Sequence, residues 1–322
     1  MAAAPTVWVL ADDRPGNAGQ CLGVADALGL PYTVKTIAYG PWAALPNLLM
    51  GASLAGMTAE SRAALTAPWP DLVVAAGRRT APVARAVKSL AGGRPFLVQI
   101  MDPGPGGRDA FDLIAVPRHD GVRSGGNILP IVGAPHRVTA GRLAEAAAIW
   151  AARFADLPGP RIGVVVGGST RRRRFTAALG RDLGVRAAAM AAAAKGSLLV
   201  TTSRRTGPAA EALLAAISGP AFCYRWGAGG DNPYLGILGS ADALVVTGDS
   251  VSMASEAAAS TVPLYLFAPP FLTTAKHARF HADLYRDGYA RPFDGTLAPW
   301  SHPPLNAAGE IAATIRKRLG LP

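Results

Sequence analysis

Between Ala243 and Phe267 an apolar run breaks at Thr247-Gly248-Asp249, serines follow at 250 and 252, and Glu256 stands among alanines before a second apolar run. If a strand ends near Val246 and a helix starts near Ser250, the helix's free N–H groups and positive dipole end can hold a diphosphate. Ser250 or Ser252 can cap that helix or offer a hydroxyl to the anion. Glu256 lies about one and a half turns further on, where a carboxylate can accept from a pair of ribose hydroxyls. The plainer alternative makes Ser250 a cap and Glu256 a solvated helix residue. A glutamate amid so apolar a stretch, however, needs a partner if it is buried.

A second cluster, Gly167-Gly168-Ser169-Thr170, follows three valines and precedes Arg171–Arg174. Its glycines permit close backbone approach, and its hydroxyl and N–H groups can hold a phosphate or sugar oxygen. The alternative is a tight strand-to-helix turn before an exposed basic face. Neither the P-loop spacing nor the three-glycine dinucleotide fingerprint is present. His277 and His281 have a spacing that can chelate a metal, but no glutamate lies between them and Lys276 and Arg279 add positive charge, so no metal site is expected.

These clusters sit at equivalent points of a repeated unit. A short, continuous Val/Leu/Ile run leads to a Gly, Pro or polar turn and then to an alanine-rich helical stretch. Such runs are strands buried on both faces, as in parallel sheets. Two series of them, separated by the proline-broken linker Asp156–Pro160, predict an α/β protein with two Rossmann-like, doubly wound parallel-sheet domains facing a cleft. The expected boundaries are 1–156, 157–299, and a C-terminal segment 300–322 whose helix packs back on the N-terminal domain. The polar turns follow their strands, where open α/β sheets bind ligands.

At 322 residues, half of them hydrophobic and 16% charged, the chain has the composition of a well-buried globular protein. Cys21 and Cys223 are too few for a disulfide framework. The N-terminus lacks the basic region of a signal peptide, and no apolar run reaches the roughly 20 residues that span a bilayer. A cytoplasmic protein is expected, either soluble or peripheral at the inner face of the membrane. The net charge of +11 favours anionic partners. With 7% aromatic residues and no recognisable module, nucleic acid is not expected to be one of them. Pro41–Met57 is almost free of charge and reads either as a buried helix or as an apolar patch that docks on lipid.

The stretch from Asn232 to Phe267 resembles the donor-binding region of GT-B glycosyltransferases, especially the type that makes lipid-linked peptidoglycan precursors. Ala241-Asp242, Gly248, Ser250, Ser252, Glu256 and Pro263 carry the likeness. A wider set of motifs (ADDRPGNAGQ, GRRTAP, VQIMDP, VPRHD, GAPHRVT, GGSTRR, TSRRTG, NPY and TGDSVSMASEA) resembles the mitochondrial-fission ELM-type family over nearly the whole chain. Asp13 stands where that family's turn more often has glycine.

The resemblance implies a metal-independent glycosyltransferase that takes a nucleoside diphosphate sugar as substrate, needs no cofactor, and serves an acceptor that is lipid-linked or at a membrane surface. Gly167, Gly168, Ser169, Thr170, Ser203, Asn232, Gly248, Asp249, Ser250, Ser252 and Glu256 would surround the donor. Arg171 or Arg204 would neutralise the leaving group, and Trp226 or Tyr234 would stack on the base. The general base would come from the first domain, with Asp13, Asp102, His119 and the adjacent Asp120 as candidates. The alternatives are a nucleotide-sugar 2-epimerase and a non-catalytic scaffold acting at a membrane surface.

Overall fold

The computed structural model describes residues 4–104, 106–121 and 125–321. Met1–Ala3 and Pro322, the outer limits of the expected domains, lie outside them. Contacts divide the chain into two units, Met1–Arg137 with Asn306–Pro322, and Val138–Leu305.

The first unit begins with β1 (Val7–Asp12), α1 (Pro15–Leu28) and β2 (Tyr32–Ile37), followed by the short α2 (Asn47–Met50) and α3 (Ala59–Ala63). It continues with β3 (Leu72–Ala76), α4 (Ala81–Leu90), β4 (Phe96–Ile100), β5 (Leu113–Pro117) and β6 (Ile128–Ile131). The six strands form a parallel sheet in the order β2-β1-β3-β4-β5-β6. β1, β3 and β5 are buried along their whole length, as continuous apolar runs require. The apolar pattern does not announce β2 and β6. β2 is an edge strand with exposed Thr33, Val34 and Thr36, and β6 is an edge strand that carries Pro130.

The second unit contains α5 (Ala140–Phe154), β7 (Arg161–Val166), α6 (Ala177–Ala193), β8 (Ser197–Thr202), α7 (Ala209–Ala215) and β9 (Ala221–Tyr224). Then come α8 (Tyr234–Ser240), β10 (Ala243–Thr247), α9 (Val251–Ala257), β11 (Leu264–Phe267), α10 (Ala275–Arg286) and β12 (Arg291–Pro292). Its parallel sheet has the order β12-β11-β10-β7-β8-β9. Each sheet therefore changes winding direction once, between β1 and β3 in the first unit and between β7 and β10 in the second. Those switch points open crevices at the carboxyl ends of the strands.

The boundary expected at Asp156 lies elsewhere, because α5 belongs to the second unit. Trp150 and Phe154 of α5 are buried with Leu199 and Ile237. Gly236 and Gly239 let α8 approach α5 so closely that a Cβ would meet Trp150 Cδ1 at 2.3 Å or the Leu143 carbonyl oxygen at 2.2 Å. The linker around Pro158 and Pro160 ends a helix but does not end a domain. The last helix, α11 (Ala307–Leu319), completes the first unit by placing Ala308, Ile311 and Ile315 among Val24, Leu28 and Ile131. Arg316 Nη2 fastens it by donating to the Leu28 carbonyl at 2.6 Å. Gly236→Ala should destabilise the protein by about 1–3 kcal/mol through overpacking against Trp150, read as a lower denaturant midpoint with the fold retained.

Candidate functional site

A cavity of about 260 Å³ lies at the carboxyl ends of β7 and β8 in the second unit. Val165 and Val166 of β7 and Thr201 and Thr202 of β8 form its floor. Ser203, Arg204, Trp226, Asn232, Tyr234, Met253 and Glu256 line the rest, so six of the residues expected around a donor meet at one place. Tyr234, the first residue of α8, donates its phenol proton to Glu256 Oε2 on α9. Burial, followed by the charge and hydrogen bond of Glu256, pushes the phenol well above its ordinary value, so it remains a donor. Burial also raises Glu256, against which the Tyr234 bond works in the opposite direction. Glu256 is therefore neither solvated nor orphaned, because its partner orients it toward the cavity wall. Trp226 is half exposed at 53% and leaves an aromatic face open. The Asn232 side chain caps the entry to α8 by accepting from Tyr234 N–H at 3.1 Å.

The glycine turn behaves differently from expectation, because its N–H groups are spent on the protein. Gly167 N–H donates to Thr247 Oγ1 at 2.8 Å, Gly168 N–H to Asp249 Oδ2 at 3.0 Å, and Ser169 N–H to the Arg205 carbonyl at 2.8 Å. Thr170 N–H donates to the Arg173 carbonyl at 2.8 Å. The turn is thus a joint between β7, β8 and β10. Ser203 likewise turns its hydroxyl inward, donating to the Gly167 carbonyl. Asp249 has a fully buried side chain and is ion-paired to Arg205 at 2.5 Å. Among the described residues its second oxygen has no hydrogen-bond partner. Ser250 caps α9 by accepting from Met253 N–H at 3.4 Å, and Ser252 lies half-buried in the first turn. Gly248 is required by its neighbours, since a Cβ there would meet His281 Cε1 at 2.6 Å. Arg171 is exposed on the basic run.

Sequence reasoning selected Arg204 and overlooked Arg205. The only available signal was the adjacency of two arginines after a strand, which does not show which one turns toward a buried carboxylate. His281, where no metal site is expected, is tied to the turn after β10. Its Nε2 lies 2.8 Å from the Gly248 carbonyl, which can only accept, so Nε2 carries the proton. Burial lowers its pKa to about 4, leaving a neutral ring that braces the Gly248 turn. A larger cavity of about 420 Å³ lies beside β11 and β12. Its arginine, Arg186, is already stacked over Phe293 at 4.8 Å and donates to the Phe293 carbonyl at 2.6 Å.

In the first unit the expected base candidates have different partners. Asp13 is ion-paired with Arg79, which also reaches Asp12 at 3.4 Å. Asp102 accepts from Arg108 through Nε at 2.9 Å and Nη2 at 2.5 Å, and this pairing holds its carboxyl below the usual range. A carboxylate so stabilised in its charged form is a weak base. His119 is buried at 2% exposure, with Asp120 Oδ1 4.0 Å from its Nε2. Met101, just before Asp102, adopts a left-handed φ of 67°, a strain of the kind that gathers at functional sites.

Two outcomes follow from this geometry. Asp249→Asn should cost about 1–3 kcal/mol, since it weakens a fully buried acceptor for Gly168 and leaves the half-buried Arg205 without its counter-charge, seen as a lower urea midpoint. An unfolded histidine binds its proton near 6.5, whereas folded His281 resists until about 4. Unfolding therefore takes up a proton between these values, and stability falls as the pH drops through that window. His281→Gln should remove this share of the acid sensitivity, leaving the part due to His277, whose pKa burial also lowers; unchanged pH dependence of the midpoint would refute the assignment.

The family described as Mitochondrial fission ELM1 matches residues 15–319 of the chain. Mitochondrial fission protein ELM1 of Arabidopsis thaliana is 30% identical over 298 residues, covering 84% of this chain and 69% of that protein. UDP-GlcNAc 2-epimerase from Methanocaldococcus jannaschii, solved in complex with UDP-GlcNAc and UDP, has a TM-score of 0.54 at 12% identity and covers 98% of this chain and 99% of that one. MurG from Acinetobacter baumannii has a TM-score of 0.50 at 16% identity, covering 97% and 100%. Likeness at these identities is likeness of fold, and the fold is the two-unit α/β architecture of the GT-B kind. With the match running from the first helix to the last, the chain belongs to the Mitochondrial fission ELM1 family.

Proposed function

We propose that the protein is a glycosyltransferase that binds a nucleoside diphosphate sugar in the second unit's cavity and passes the sugar to an acceptor at a membrane surface. The observation that carries this reading is the Tyr234–Glu256 pair in a cavity also lined by Arg204 and Trp226. Glu256, held by the phenol through one oxygen, offers its remaining acceptor capacity to a ribose diol. The Trp226 ring offers a face for the base. Arg204, exposed at the rim, supplies positive charge to the diphosphate that departs, with Arg171 as a second source.

In the transfer step the acceptor hydroxyl attacks the anomeric carbon, the bond from that carbon to the diphosphate oxygen breaks, and the hydroxyl proton passes to a base. The proposed base is one of Asp13, Asp102, His119 and Asp120, of which Asp13 and Asp102 are held by arginines. The bound nucleotide sugar of the M. jannaschii epimerase adds support for a donor on this scaffold.

Glu256→Ala should weaken nucleoside diphosphate binding by about 10–100-fold, the worth of a charge-assisted hydrogen bond, in calorimetric titration. It should also abolish any preference for ribonucleotide over 2′-deoxyribonucleotide. Absence of a thermal shift with every nucleoside diphosphate and nucleotide sugar tested would sink the reading. Donor consumption only when acceptor is present identifies transfer. Interconversion of the donor sugar alone would identify an epimerase, and binding without either reaction a scaffold.

A further inference from the structure

The first unit bears an apolar surface that its own core does not cover. Trp42 is 64% exposed, Leu45 36%, Leu48 70% and Leu49 72%. All four lie within Pro41–Met57, a segment without a single charged residue. The inner side of this segment is built from polar bonds. Asn47 is buried and its Nδ2 donates to the Arg78 and Pro103 carbonyls, each at 2.8 Å. Arg78 donates to the Leu45 carbonyl at 2.6 Å and the Ala43 carbonyl at 3.2 Å, and Arg85 to the Gly51 carbonyl at 3.2 Å. The turn from Trp42 to Leu49 is therefore held by its backbone while Trp42, Leu48 and Leu49 point to solvent, and further along the segment Leu54 and Met57 pack into the core. A one-turn helix gains nothing in water from displaying adjacent leucines.

Charge distinguishes what could cover this surface. Neither Arg78 nor Arg85 has a carboxylate partner among the described residues, and the nearby Asp13 and Asp102 are taken up by Arg79 and Arg108. The base of the patch is thus positive, and its tip is a tryptophan with leucines. Arg78 and Arg85 brace the segment's carbonyls and keep their positive charge beneath it, so an apolar partner would match the tip alone and an anionic one both tip and base. Anionic phospholipid satisfies both, with headgroup phosphates at the arginines, Trp42 at the interface and leucines at the acyl boundary.

We propose that Pro41–Met57 is a docking surface for an anionic phospholipid bilayer. It deepens the reading of an acceptor at a membrane surface, and it is tested apart from donor binding. Full-length protein is floated with vesicles of phosphatidylcholine, with or without phosphatidylglycerol. Binding should require the anionic lipid, weaken as salt is raised, and fall about tenfold or more in Leu48→Ser/Leu49→Ser. Because both leucines are exposed, this variant should keep the wild-type melting profile and its thermal shift with nucleoside diphosphates. Trp42→Ala, outside α2, provides a second variant with the same expected loss. Failure of the wild type to float with anionic vesicles, or equal flotation of both variants, overturns the proposal. So does a wild-type dimer that the variants convert to monomer without any vesicle binding, which would assign the patch to a second copy of the chain. Loss of vesicle binding with donor binding intact, or the reverse, separates this proposal from the catalytic one.

Discussion

The buried carboxylate of Asp249 ties together the three strand ends on which the second unit's cavity depends. β10 supplies the carboxylate, β7 supplies the Gly168 N–H, and the loop after β8 supplies Arg205. An isolated carboxylate at that depth would cost several kcal/mol, so the site holds only if both donors arrive together. The same packing explains Gly167, where a Cβ would lie 2.5 Å from Asp249 Oδ2. It also leaves the glycine turn with its N–H groups spent within the protein, so the cavity is faced by the side chains beside it. Arg204 stays at the cavity because its neighbour is committed inward.

The Tyr234–Glu256 pair is a different solution to the burial of a charge. Desolvation raises both groups, and the phenol, which holds its proton far above neutral pH, lends that proton to the carboxylate. A fixed phenol therefore replaces a mobile water as the partner of Glu256. This costs little reorganisation when a ligand enters, which is the physical meaning of a preformed site.

The parts of the fold that were legible were those in which a single force dominates. β1, β3 and β10 are buried along their length and show as unbroken apolar runs. β2 was hidden because an edge strand answers to water on one side, and β6 because a proline is tolerated there. The α5 assignment failed since a helix end and a domain end share the same prolines; the deciding contact, Trp150 on Gly236, spans most of a hundred residues. Glu256 was legible as a polar residue in an apolar helix, a conflict that demands a partner. The choice between Arg204 and Arg205 and the capture of Asp13 by Arg79 are long-range pairings that no local pattern encodes, whereas Asp102 is held by the sequence-near Arg108.

The return of α11 to the first unit has a consequence for the order in which the protein comes into being. The second unit is one continuous stretch and is made before α11. The first unit, although begun earlier, lacks Ala308, Ile311 and Ile315 from its core until α11 has been made. During translation the earlier part therefore waits on the later one, with the α11-facing side of α1 uncovered until that helix arrives.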